Sequence, residues 1–96
     1  KYYNNYPGFS EELAKYFKSQ CPKLRAIGFD LISLSSPLNG DLGRKAHIEF
    51  LKNEKLLIVE DMDLNIINDT SKLNMLILAP LRFEGCDGAP VTIFFK

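Results

Sequence analysis

Apolar and polar residues alternate along the chain in short blocks, and the first block predicts a helix. Leu13, Tyr16 and Phe17 follow Ser10 at helical spacing, and serine is a favoured N-cap residue. Two glutamates occupy the first turn, where the helix dipole stabilises negative charge. The helix must end before Pro22, so the pattern predicts a helix over residues 10–20.

The middle of the chain predicts a strand, a helix and a second strand. Residues 24–34 are largely apolar and lead into a cluster of turn formers at residues 35–41. A helix is predicted from about residue 42 or 44 to Lys52, and residues 56–59 form a continuous apolar run, typical of a strand buried on both faces. One face of the predicted helix carries Ala46, His47, Phe50 and Leu51. A helix that links two buried strands favours parallel pairing between them.

The last third of the chain predicts two more strands. Residues 64–73 mix polar and apolar residues and predict a loop or a single helical turn, followed by a strand over residues 73–81. Residues 84–88 predict a tight turn, in which Asp87-Gly88 is a hairpin signal, and residues 91–95 a final strand. The whole pattern predicts an α/β fold with a mixed, partly parallel sheet and two helices.

Composition narrows the possible partners. The chain has 96 residues, enough for one domain, with 46% hydrophobic residues and 12 basic against 12 acidic residues. This balance provides no basic face for nucleic acid, and no apolar run is long enough to span a membrane. Cys21 and Cys86 are too few for a disulfide scaffold, so free thiols in a reducing, cytoplasmic compartment are favoured over a single bridge.

His47 and Glu60 are the candidate metal ligands. His47 is the one histidine of the chain and lies on the predicted second helix, while Glu60 directly follows a predicted buried strand. Ligands of α/β sheets gather at the carboxyl ends of strands. Two plainer interpretations stay open: a histidine at the edge of the core bonded to a carbonyl, and a glutamate that only opens a polar segment. A Ser-His-acid triad is also open, although no residue is marked as its nucleophile.

The lengths of the two elements allow His47 and Glu60 to meet. The helix from His47 to Lys52 covers roughly 8 Å, and the strand from Leu56 to Val59 returns about 13 Å. If the strand exit folds back over the start of the helix, both side chains end at a similar height. An imidazole and a carboxylate are half of a Zn²⁺ or Mn²⁺ site, which needs three or four protein ligands.

Five segments resemble, in order and spacing, the second half of the kynurenine formamidase/cyclase family. They are Tyr6-Pro7-Gly8-Phe9-Ser10 before a helix, Ile27-Gly28-Phe29-Asp30 with Ser33, His47 with Leu51, Ile58-Val59-Glu60 with Leu64, and Pro80-Leu81 with the segment Glu84-Gly85-Cys86-Asp87-Gly88-Ala89-Pro90-Val91. The resemblance implies a partial domain of the swivelling β/β/α type. It also implies a metal-dependent hydrolase of amide, formamide or cyclic amide bonds in small molecules, with zinc or manganese bound by His47 and Glu60.

The chain departs from the family in several places. The His-x-Gly-Thr-His-x-Asp motif of the family's first half is not in this sequence, and no catalytic residue is identified. Asp61 stands where asparagine is common, Thr92 near a frequent arginine, and one extra residue is expected in the turn at residues 53–55. Residues 1–96 are therefore expected to be a single domain, the C-terminal part of a longer cyclase-family chain, inactive alone and forming homo-oligomers. The alternative is a non-catalytic, truncated or degenerate module that acts in self-association.

Overall fold

The part of the chain that the structure describes forms two α-helices and four strands. The computed structural model describes residues 4–53 and 56–96, and its contacts divide the chain into two compact units, Lys1–Leu64 and Asn65–Lys96, each considered by itself. The elements are α1 (Glu11–Gln20), β1 (Ala26–Gly28), α2 (Gly40–Leu51), β2 (Leu57–Val59), a 3₁₀ turn (Thr70–Lys72), β3 (Leu76–Pro80) and β4 (Val91–Phe95). The predicted α/β class with two helices and both kinds of strand pairing is confirmed, although the pairings occur in separate two-stranded sheets.

Helix α1 begins and ends where the sequence predicts. Ser10 has extended backbone at the N-cap, but its hydroxyl makes no capping hydrogen bond to the helix. The pKa of Glu12 is lowered mainly by its own backbone N–H and secondly by the Ser10 hydroxyl. The helix closes with the Cys21 N–H donating to the Phe17 carbonyl over 2.8 Å, just before Pro22.

The two helices pack together around the core of the first unit. Ala14 of α1 and Ala46 and Phe50 of α2 are all fully buried, together with Leu34 from the connection between β1 and α2. Lys18 of α1 donates its ammonium hydrogens to carbonyls at the end of α2. The α1–α2 contact thus fixes the helix that carries His47.

Strands β1 and β2 pair in parallel, as the linking helix predicts. Ala26 is opposite Leu57 and Gly28 opposite Val59. Strand β1 is shorter than predicted because the chain turns after Gly28, and Leu34 is buried in the following loop instead. The prediction that β2 is buried on both faces is wrong: Leu57 is 49% exposed and the other two residues of the strand are half-buried, since among the described residues this sheet has two strands.

The second unit is built on the antiparallel pair β3 and β4, with Leu76 opposite Phe95 and Pro80 opposite Val91. The predicted single helical turn is the 3₁₀ turn, whose start is held by the Asp69 carboxylate accepting the Ser71 N–H. Strand β3 begins at Leu76, later than predicted, although Met75 still exchanges both backbone hydrogen bonds with Lys96. Residues 81–90 connect the strands, so Asp87-Gly88 does not form a two-residue hairpin.

Some predictions are not tested by this fold. The extra residue expected at residues 53–55 falls largely on Glu54 and Lys55, which lie outside the described residues, as do Lys1, Tyr2 and Tyr3. That residues 1–96 form a single domain of a longer chain stays a prediction. Among the described residues, no helix combines the length and apolar character needed to cross a membrane.

Candidate metal centre

The ring of His47 is oriented by one nitrogen. His47 Nδ1 lies 3.0 Å from the carbonyl oxygen of Gly43, one turn earlier in α2, and 3.2 Å from Ser35 Oγ. A carbonyl only accepts hydrogen bonds, so this contact is favourable when Nδ1 carries a hydrogen. The predicted interpretation of a histidine bonded to a carbonyl at the edge of the core is therefore found, but it accounts for only one of the two ring nitrogens.

Glu60 follows β2 directly and is held by the loop of residues 33–36, here called the serine loop. Its Oε1 accepts the Leu34 N–H over 2.8 Å and the Ser33 hydroxyl over 3.4 Å. Leu34 has no exposed surface, so its N–H depends on a protein acceptor. Glu60 is thus more than the first residue of a polar segment.

The structure brings His47 and Glu60 together. His47 Nε2 lies 3.3 Å from Glu60 Oε1, and about a third of each side chain is exposed (32% and 33%). The proximity predicted from the lengths of the helix and the strand is found. Because both side chains reach the surface, a small ligand can approach them from solvent.

The contact between His47 Nε2 and Glu60 Oε1 needs a hydrogen or a cation between the two atoms. If Nδ1 of a neutral ring donates to Gly43, Nε2 presents a lone pair, and Glu60 Oε1 is also an acceptor. Two acceptors 3.3 Å apart repel each other unless a ring proton or a metal cation lies between them.

The pair fits a divalent metal. Two ligand atoms about 2.1 Å from one zinc ion, at a tetrahedral angle, are about 3.4 Å apart. The observed separation of 3.3 Å is close to that value. Metal-binding histidines also typically donate their second N–H to a carbonyl or a carboxylate, as Nδ1 is placed to do here.

The pair is only part of a metal site. Among residues 4–53 and 56–96, no group of three or more histidine, cysteine, aspartate or glutamate side chains lies close enough to hold an ion. Two ligands leave most of the coordination sphere of a zinc ion to other groups. Metal binding by His47 and Glu60 stays a prediction.

The same side chains also form a hydroxyl–imidazole–carboxylate chain. Ser35 Oγ lies 3.2 Å from Nδ1, and Glu60 Oε1 lies 3.3 Å from Nε2. This arrangement is a triad only if Nδ1 is free to accept the serine proton. The Gly43 carbonyl, closer to Nδ1 at 3.0 Å, opposes that state.

The segment Gly8-Phe9 packs closely against the backbone of the serine loop. Phe9 donates its N–H to the Leu34 carbonyl over 2.9 Å, and a side chain at Gly8 would lie 2.6 Å from the Ser36 nitrogen. The resemblance had singled out the Tyr6–Ser10 segment and Ser33 without indicating these contacts. Sequence reasoning missed Leu34 and Ser35 as neighbours of the site, because a cluster of turn formers does not indicate which groups the loop touches.

The exit from β2 is tightly turned. Asp61 has a φ of 55°, in the left-handed region, and donates its N–H to the Leu31 carbonyl over 2.8 Å. Met62 then donates to the Phe29 carbonyl over 3.0 Å. This turn follows Glu60 immediately and fixes the direction in which its carboxylate leaves the strand.

The second unit contains the remaining predicted features. Cys86 and Cys21 are free thiols, and both are exposed. Gly85 has a φ of 77°, so the predicted tight turn takes its left-handed residue from Gly85 rather than Gly88. Thr92 lies in β4, opposite Ala79.

Comparison with known proteins gives one distant similarity. Over 87 residues the chain is 30% identical to cyclase-like protein 2 of Oryza sativa subsp. japonica; the alignment covers 91% of this chain and 30% of that protein. The chain therefore spans about 30% of the length of the curated relative that it matches. No family profile matches the chain, and no solved structure matches it. What the comparisons support is thus a distant similarity to a cyclase-like protein.

Proposed function

We propose that this chain supplies His47 and Glu60 to the divalent metal site of a cyclase-family amide hydrolase, similar to kynurenine formamidase. The observation that carries the proposal is the 3.3 Å contact between His47 Nε2 and Glu60 Oε1, combined with the 3.0 Å contact between His47 Nδ1 and a helix carbonyl. The distant similarity to a cyclase-like protein supports it.

The bound ion would be zinc or manganese, and the substrate a small molecule with an N-formyl, amide or cyclic amide bond. Such an ion lowers the pKa of a bound water and polarises a carbonyl. Because the described residues offer two ligands, the remaining ligands would come from groups outside them. The two free, exposed thiols agree with a reducing compartment such as the cytoplasm.

In this proposal, His47 and Glu60 would bind the metal ion, and neighbouring backbone groups would orient their side chains. His47 offers the Nε2 lone pair once Nδ1 donates to Gly43, and Glu60 offers negative charge. The Leu34 N–H bonded to Oε1 at 2.8 Å limits rotation of the carboxylate, so that Glu60 stays beside the ring. Preorganised ligands lose less conformational entropy when the ion binds.

Zinc titration of the 96-residue chain tests the proposal. As His47 is the one histidine, its ring signals in an NMR spectrum are assigned without ambiguity. We expect zinc to perturb these signals with an affinity weaker than about micromolar, because only two ligands are present. Glu60→Gln should weaken the response, whereas Glu84→Gln, at an exposed carboxylate in the second unit, should leave it unchanged. The proposal is contradicted if millimolar zinc leaves the His47 ring signals unchanged, or if these signals respond equally in both variants.

A second candidate function is self-association without catalysis. Apolar side chains are exposed on both faces of the β3–β4 pair: Leu76 and Phe95 share one face, and Ile77 and Phe94 the other. Apolar surface of this kind is typical of an interface. Sedimentation velocity should then show association that rises with concentration and that falls in Phe94→Glu. The control Leu38→Glu changes an apolar residue that is 65% exposed in the first unit. A monomer at high concentration contradicts this candidate.

A further inference from the structure

Gly43 touches both sides of the candidate site, although it carries no side chain of its own. Its carbonyl oxygen lies 3.0 Å from His47 Nδ1. Its α-carbon faces the serine loop so closely that an added Cβ would lie 2.7 Å from the Ser35 α-carbon. Real Cβ atoms essentially never come so close to backbone, so only glycine allows this approach.

The close approach links Gly43 to Glu60. Ser35 is adjacent to Leu34, whose N–H donates to Glu60 Oε1 over 2.8 Å. Ser35 also donates its own N–H to Ser33 Oγ over 3.1 Å, which keeps the loop tightly turned beneath the carboxylate. A side chain at position 43 would push Ser35 away from α2 and draw Leu34 away from Glu60.

The carbonyl of Gly43 favours one of the two neutral tautomers of His47. It is fixed in the backbone of α2 and lies 3.0 Å from the imidazole, closer than Ser35 Oγ at 3.2 Å or Glu60 Oε1 at 3.3 Å. The hydroxyl of Ser35 can rotate, whereas a helix carbonyl cannot. We expect the neutral ring to place its hydrogen on Nδ1, because the bond to the Gly43 carbonyl outweighs the repulsion between a bare Nε2 and Glu60 Oε1.

We infer that Gly43 is a positioning residue for both candidate ligands. Its carbonyl selects the Nδ1–H tautomer of His47, and its missing side chain seats the serine loop that holds Glu60. The metal role of the pair rests on the proposed function, but the tautomer and the seating of the loop belong to the metal-free chain and are measurable without any ion.

The tautomer is read from the ¹⁵N-labelled wild-type chain by long-range ¹H–¹⁵N correlation of its single imidazole. At about pH 9 we expect the Nδ1 signal to be typical of a nitrogen that carries a hydrogen and the Nε2 signal to be typical of one that does not. Ser35→Ala removes one neighbour of Nδ1 and keeps the Gly43 carbonyl, so the tautomer should not change. An Nε2–H tautomer in the wild type, or a switch in Ser35→Ala, overturns the inference and favours the Ser35–His47–Glu60 triad.

The seating of the loop is tested by Gly43→Ala against Gly40→Ala. Both changes lie in α2, and a Cβ at Gly40 meets no atom within 4 Å. The Leu34 amide proton should be shifted downfield by the carboxylate in the wild type and in Gly40→Ala, and should lose that shift in Gly43→Ala. Ser35→Gly/Gly43→Ala is the second variant for the case in which Gly43→Ala does not fold: it removes the Ser35 side-chain atoms, which lie closest to the added Cβ, and we expect it to regain part of the shift. A retained shift in a folded Gly43→Ala, or no recovery in a folded double variant, overturns the inference.

Zinc binding separates this inference from the proposed function. If the wild type binds zinc through His47, Gly43→Ala should lower the affinity by about 10- to 100-fold relative to Gly40→Ala, as expected when a group that orients a ligand is disturbed. If the tautomer and the Leu34 shift are as expected but zinc does not bind at His47, the proposed function fails and the positioning role stands. If zinc binds equally in both glycine variants, the positioning role fails while the metal site stands.

Discussion

The buried backbone N–H of Leu34 donates to Glu60 Oε1 over 2.8 Å, which ties the serine loop to the residue that follows β2. Glu60 is therefore a structural residue in the metal-free chain as well as a candidate ligand. The structural role can be tested separately from metal binding, because the free energy of unfolding is measured without metal.

Glu60→Ala should destabilise the metal-free chain. The change leaves the Leu34 N–H buried without its acceptor, which costs about 1–3 kcal/mol, whereas Glu60→Gln keeps an acceptor oxygen and should cost less. Urea unfolding followed by circular dichroism measures both. Ser33→Ala, which removes only the 3.4 Å contact to Oε1, is the matched control and should cost least. Equal stability of the wild type and Glu60→Ala would show that Glu60 has no structural role.

Lys18→Met should destabilise the α1–α2 packing. The Lys18 ammonium donates to the carbonyls of Glu49 and Lys52 at the end of α2, where helix carbonyls have no partner within the helix. Methionine keeps the apolar stem and removes these bonds, so we expect a loss of about 1–2 kcal/mol. Lys15→Met is the control, since Lys15 forms an exposed 3.8 Å ion pair with Glu11 and should cost at most about 0.5 kcal/mol. Losses of the same size in chemical denaturation would refute the capping role.

Helix α1 and the last strand were predictable from local patterns, whereas α2 begins at Gly40, two to four residues earlier than predicted. Ser10 and Pro22 bound α1 by local chemistry, and the β-branched and aromatic residues of β4 predict a strand at the bounds observed, Val91–Phe95. The meeting of His47 and Glu60 was predictable from the rise of a helix and of a strand. The serine loop was not, because its conformation depends on groups distant in sequence, above all on the approach of α2 at Gly43. The exposure of Leu57 was not predictable either, since it depends on how many strands share the sheet.

At position 61, asparagine should leave the stability of the fold nearly unchanged, and valine should lower it. Its φ of 55° lies in the left-handed region, where asparagine and aspartate are tolerated and β-branched residues are strained. We therefore expect Asp61→Asn to change the free energy of unfolding by less than about 0.5 kcal/mol, and Asp61→Val to lower it by about 1–2 kcal/mol. Thermal unfolding compares the two variants. This backbone requirement gives a physical reason for the asparagine that is common here in the family that the chain resembles. Equal losses in both variants would mean that the turn does not constrain this residue.

Acid should weaken the fold through Glu49. A hydrogen bond from the Lys52 ammonium, 2.6 Å from Glu49 Oε2, is the main cause that lowers the pKa of Glu49; the charges of Lys52, Lys15 and Lys18 add to it, and desolvation opposes it. A carboxyl group whose pKa is lower in the folded state than in the unfolded state binds protons more weakly when folded. Its contribution to stability is therefore complete above the ordinary glutamate pKa of about 4.3 and is lost as the pH falls through the folded-state value.

The pH dependence of Glu49→Gln tests this. The free energy of unfolding of the wild type should exceed that of the variant most at neutral pH, and the difference should shrink as the pH falls below about 4.3. Lys52→Met removes the donor that chiefly lowers the pKa, so in that background the Glu49→Gln difference should depend far less on pH. Both comparisons come from urea titrations at a series of pH values. A difference between wild type and Glu49→Gln that is constant with pH, or that grows in acid, would mean that the Lys52 ammonium does not stabilise the folded chain through this carboxylate.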